Sequence, residues 1–119
     1  MPDTSIPAQT RIGHVHLKVA DLERAIGFYR DYLGFDLLFD FESAAFLSAG
    51  GYHHHVGLNS WHSQGGAPPP DSAPGLRLVE FALSGPAALD TLASRLSQTF
   101  SEGSGLTLRD PDEIPLAFA

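Results

Sequence analysis

Residues 11–20 read R-I-G-H-V-H-L-K-V-A, with Val15, Leu17 and Val19 on alternate positions and His14, His16 and Lys18 between them. A period of two gives a half-buried strand with one apolar and one polar face. The pattern then changes within a single residue. Asp21 is a helix N-cap residue type, and Leu22, Ile26, Tyr29 and Leu33 follow at helical spacing. Gly34 stands where a left-handed C′ residue closes such a helix, so the spacing predicts a helix over 21–33.

The same switch occurs again further on. In 76–84, Val79, Phe81 and Leu83 alternate with Leu78, Glu80 and Ala82, and Pro86 suits a first helical turn. Leu89, Leu92, Leu96 and Phe100 then supply a helical stripe. Between the two copies, 35–42 and 44–49 read as strands, Gly50-Gly51 as a turn, and 52–61 as a fourth strand. Residues 62–74, with Gly65-Gly66 and Pro68-Pro69-Pro70, hold no regular structure. Residues 105–109 and 116–119 supply two closing strands.

The repeat predicts an α+β fold of two βαβββ-type modules, the second shortened, and two such modules curled together would form a curved mixed sheet around a cavity. Residues 1–10 form a flexible N-terminal tail. Residues 11–119 form one domain, with module one at 11–61, a linker at 62–74 and module two at 75–119.

A length of 119 residues suits one domain with its own core. The absence of cysteine excludes disulfides and thiolate metal sites. The formal charge is −7 and the basic residues are scattered, so no nucleic-acid partner is expected. No apolar run is long enough to span a membrane, and a cytoplasmic location is the expectation.

The histidines point to chemistry. Five of six lie in two short segments, His14 and His16 in the first strand and His53, His54 and His55 before Val56. If Val15, Leu17 and Val19 pack beneath the helix, His14 and His16 face the opposite side, and by the same phase so does Glu80. Imidazoles and a carboxylate converging in one pocket suit a borderline divalent ion with open coordination positions. Against this stands the ordinary case of solvent-facing histidines on a strand. Tyr52 and Trp61 are candidates to line an aromatic pocket.

The stretch I-G-H-V-H-L-K-V-A-D-L-E-R-A-I-G-F-Y-R-D-Y-L-G-F (12–35) closely resembles the opening of vicinal-oxygen-chelate proteins, which include glyoxalase I, bleomycin-resistance proteins and type I extradiol dioxygenases. Residues 45–70, A-F-L-S-A-G-G-Y-H-H-H-V-G-L-N-S-W-H-S-Q-G-G-A-P-P-P, resemble the first domain of catechol-2,3-dioxygenase-like proteins. L-R-D-P-D (108–112) is similar to that family's penultimate strand and turn. The resemblance implies a divalent metal (Fe, Mn, Ni or Zn) with His14 as a ligand, and a proton-transfer histidine in 53–55. His55 is favoured by phase, with His54 as the alternative. His16, His53, Tyr52 and Trp61 are then expected near a small-molecule ligand, and a homodimer is implied.

The remaining family ligands fall on Leu78 and Ala117, neither of which binds a cation. Three explanations stand open. Glu80 forms a displaced site with His14 and either His16 or His55; the cavity persists without metal; or Asp112 or Glu113 is the carboxylate donor. The expected function is a metal-dependent enzyme acting on a small oxygenated aromatic molecule, with a metal-free binding or sequestering protein as the alternative.

Overall fold

The computed structural model describes residues 4–100 and 105–119; residues 1–3 of the expected tail and 101–104 lie outside the described residues. Module one runs β1 (Val15–Lys18), α1 (Leu22–Ile26), a π-helical continuation (Gly27–Tyr32), β2 (Asp36–Asp40), β3 (Ala44–Ser48) and β4 (Val56–Asn59). Module two runs β5 (Val79–Phe81), α2 (Pro86–Arg95), β6 (Leu106–Arg109) and β7 (Pro115–Phe118).

The first helix begins where the sequence places it. The Asp21 carboxylate accepts the Arg24 N–H at 3.1 Å and so caps the first turn. Its second half widens, with Leu33 N–H reaching back to the Phe28 carbonyl, and Gly34 at φ +100° ends it. Buried Leu22, Ala25, Ile26, Tyr29 and Leu33 form its inner face.

Each module makes its own small mixed sheet, ordered β1-β4-β3-β2 and β5-β7-β6. In each, the strand that precedes the helix lies parallel to its neighbour and at the sheet edge. Across the first sheet Leu17 pairs with Leu58 and Leu58 with Ala45, all three buried under the helix. The next row, on the other face, is His16, Gly57, Phe46 and Phe39. Phase thus governs this sheet as alternation dictates.

Several elements are shorter than the sequence pattern: β2 keeps only Asp36–Asp40 of 35–42, and α2 ends at Arg95, before Leu96 and Phe100 of its expected stripe. Residues 52–55 form a turn rather than the start of β4, because Gly50 (φ +68°) and Gly51 carry the chain out of the ladder until His55 N–H rejoins the Leu47 carbonyl. β5 keeps three ladder residues, leaving Leu76 and Leu78 exposed before it.

The modules are joined by buried polar contacts as well as by apolar packing. The Tyr29 hydroxyl donates to Asp110 Oδ2 at 2.7 Å, and Asp110 Oδ1 accepts the N–H groups of Asp112 and Ile114. Asp112 Oδ1 accepts the Ala20 N–H at 2.9 Å and an Arg24 N–H at 3.4 Å. The D-P-D turn of module two is thereby fastened to the first strand and helix of module one. No helix among the described residues is long and apolar enough to cross a membrane.

Candidate functional site

Tyr52 brings the two histidine segments together. Its hydroxyl donates to the Gly13 carbonyl at 2.7 Å, tying the 50–55 turn to the chain just before β1. Its ring stands 4.2 Å from that of His53 and 4.5 Å from that of His55. Held this way, the turn places His54 with its ring centroid 4.2 Å from His14 and stacked on Phe46 at 4.6 Å. His53 Nδ1 and His54 Nδ1 are 3.1 Å apart, so one of the two rings carries its proton on Nδ1. His14 also lies 6.4 Å from His16 and 6.5 Å from His53. His16 leans over Gly57, where an added Cβ would come within 2.8 Å of His16 Nδ1, and faces Trp61 at 5.6 Å. Four imidazoles therefore form one patch on the open face of the first sheet.

Two rings of this patch, His16 and His54, disfavour charge. Loss of hydration, and then the neighbouring His14, lower the pKa of both His16 and His54 below the ordinary 6.5. His53 adds to the effect at His54.

His55 points elsewhere. Its Nδ1 accepts the Ala49 N–H at 3.1 Å, which puts the proton of the neutral ring on Nε2. With His14 and Glu80 it lines a cavity of about 610 Å³ between the two modules. The rest of that lining is mainly apolar, including Phe35, Leu78, Phe81, Leu83 and Phe118. His14 belongs to both the cavity wall and the imidazole patch, and so marks where they meet.

The sequence-derived residues thus divide. His14, His55 and Glu80 share the cavity, while His16, His53 and His54 gather beside His14 on the sheet face. Trp61 sits at the far end of the patch, its indole N–H donating to Ser43 Oγ at 3.1 Å. The Tyr52 hydroxyl is committed to Gly13 and acts as a tether. Strand phase does not apply to residues 52–55, which form a turn: the His54 ring lies beside that of His14, while His55 shares the cavity wall with His14.

Phe46 was missed, although it is the one residue of β3 that is not fully buried and the ring on which His54 stacks. A lone aromatic between Ala45 and Leu47 in the strand was the available signal. The Tyr29–Asp110 pair carried no sequence signal, since its members are 81 positions apart.

The donor set does not fit the three-ligand metal site that the resemblance implies. Among the described residues, no group of three His, Cys, Asp or Glu side chains is placed to hold an ion. Leu78 lines the cavity where an imidazole is expected, and Ala117 lies beside Glu80 across the β5–β7 ladder. Asp112 and Glu113 are not part of this cavity; Asp112 instead binds Ala20 and Arg24.

Comparison with known proteins agrees with the fold and narrows the kinship. Residues 11–114 match the Glyoxalase/Bleomycin resistance protein/Dioxygenase superfamily. Catechol-2,3-dioxygenase from Bacillus subtilis (strain 168) is 47% identical over 95 residues, covering 78% of this chain. The chain spans about a third (33%) of that relative's length. A glyoxylase/bleomycin resistance protein/dioxygenase domain from Frankia sp. EAN1pec superposes with a TM-score of 0.70 at 24% identity, covering 93% of this chain and 97% of that one. Lactoylglutathione lyase from Agrobacterium tumefaciens gives 0.68 at 20% identity, with 94% of each chain covered.

Proposed function

This chain belongs to the Glyoxalase/Bleomycin resistance protein/Dioxygenase superfamily, and from that premise we propose that it binds a small oxygenated aromatic molecule in the cavity between its two modules. The observation that carries the reading is the composition of the cavity wall: a mainly apolar surface with two imidazoles and one carboxylate at fixed points. Such a wall takes a ring by burial and orients it through a few polar groups. The His55 Nε2–H is a donor for a ligand oxygen. Glu80 and His14 are acceptors for hydroxyl protons. The name of the Bacillus subtilis relative, a catechol dioxygenase, supports an aromatic diol as the ligand class.

Turnover is a second reading, favoured by the 47% identity to that relative. Members of the superfamily typically use a divalent metal, which polarises vicinal oxygens when bound. The cavity wall offers only His14, His55 and Glu80 towards such an ion. What this chain's residues do on their own is bury part of the ring, donate from His55 Nε2–H and accept hydroxyl protons at His14 and Glu80.

Calorimetry with catechol, with and without a chelator, separates the readings. Binding that survives the chelator and weakens in His14→Ala is the expected result. Loss of binding on chelation favours the metal-dependent reading, and no binding under either condition removes both. Ile12, Leu76 and Leu78 leave apolar surface exposed at the cavity wall. The homodimer implied by the resemblance would cover such surface, and sedimentation equilibrium measures whether it forms.

A further inference from the structure

We propose that the cavity between the modules admits uncharged or cationic aromatic ligands and rejects anionic ones, with Glu80 as the residue that sets the preference. The proposal rests on the small-molecule reading given above and concerns which members of that class enter.

The placement of charge carries it. Among the described residues, Glu80 is the only Asp, Glu, Lys or Arg in the cavity lining. None of the seven basic residues is in the cavity lining, although Arg95 lies against its Leu33–Gly34 edge and Arg77 stands between Leu76 and Leu78. Arg24 pairs with Asp112, and Arg30 with Asp31. Arg95 donates to the Tyr32 and Leu33 carbonyls at the end of the first helix. Arg77 and Arg109 line a neighbouring cleft beside Pro68–Pro70 that shares Leu76 with the cavity wall, and Arg11 and Lys18 are exposed outside the cavity lining. Residues 1–3 and 101–104 contain no Lys or Arg.

A carboxylate that leaves water for an apolar wall loses hydration that only a cation or several N–H donors restore. Within the lining itself the possible compensation is two imidazoles, and the Nδ1 of His55 already accepts the Ala49 N–H. A neutral imidazole supplies no positive charge. Glu80 adds repulsion to the uncompensated dehydration, and at a few ångströms in a partly hydrated site this disfavours an anion by about tenfold or more. A phenol or aromatic diol meets none of this cost, and an amine gains from Glu80. Benzoates, aryl phosphates and thiol conjugates bearing carboxylates are excluded.

The test compares catechol with 3,4-dihydroxybenzoate, which keeps the ring and both hydroxyls and adds one carboxylate. Both are titrated calorimetrically at about pH 8 into the wild type, Glu80→Gln and Leu78→Arg, with circular dichroism to confirm that each variant is folded. Glu80 and Leu78 are exposed, so both substitutions leave the core intact. The expected result is catechol at least about tenfold tighter than the acid in the wild type. The preference narrows to about threefold in Glu80→Gln and reverses in Leu78→Arg, where a cation joins the wall. Equal binding of the two ligands to the wild type, or tighter binding of the acid, overturns the proposal and leaves the small-molecule reading standing. An unchanged ratio in Glu80→Gln removes Glu80 from the role. Failure of both ligands to bind the wild type overturns the underlying reading and the proposal with it.

Discussion

Asp110 shows how much one buried side chain holds in place. It is 4% exposed and receives three hydrogen bonds, one from Tyr29 and two from the backbone of its own turn. Burial nevertheless raises its pKa above the ordinary 3.8, the bonds opposing that rise only in part. The folded protein therefore holds this proton more firmly than the unfolded chain. The contribution is largest below pH 3.8 and declines as pH climbs through the raised value. Asp110→Asn, which keeps an acceptor for the turn, is expected to flatten the stability profile across that window in urea titrations. Tyr29→Phe strips from a buried oxygen its only side-chain donor among the described residues and should cost about 1–3 kcal/mol. The imidazoles behave oppositely. Because His16 and His54 have lowered pKa values, their neutral forms stabilise the fold above pH 6.5, and that contribution is lost as pH falls below it. His14→Ala removes a shared cause, so the ring resonances of both should titrate at higher pH in an NMR series.

At the scale of elements, the sequence was most informative where period and burial coincide. Val15, Leu17 and Val19 beneath the helix, the Asp21 cap and the Gly34 stop all follow from local rules. The histidine triplet was read as strand because Val56 and Leu58 continue its alternation, yet the ladder starts only at Val56. A turn has no alternation, so which imidazole meets His14 depended on the Tyr52–Gly13 tether, a contact across 39 positions. Gly57 is another such case. It lies between His16 and Phe46 in the row across the sheet, and its missing side chain gives His16 room. Gly57→Ala should displace the His16 ring at a cost of about 1 kcal/mol, since that ring is exposed and free to swing aside. Trp61 is the single tryptophan and faces His16, so its fluorescence should change with the substitution.

For the whole molecule, the duplicated module was legible and the relation between the copies was not. Alternation reports which face a strand buries, but nothing in it says how one sheet meets another. That relation is set by the D-P-D turn docked on Tyr29, Ala20 and Arg24, and by the apolar wall between the two edge strands. Strand phase does not set the cavity wall: His14 and Glu80 line it, but so do Val15, Val79 and Phe81 of the opposite phase, while His16 does not, and Phe35 and Phe118 enter from elements with no such marker. Cavity and imidazole patch meet at His14, and a ligand in the cavity must be felt there. The most direct measurement is an NMR titration of the labelled protein with catechol, following imidazole and methyl signals together. Coincident shifts of His14, His55 and the Leu78 and Leu83 methyls, with one dissociation constant, are the predicted result. Shifts confined to Trp61 and His16, or none at the cavity methyls, would contradict the placement of the site between the modules.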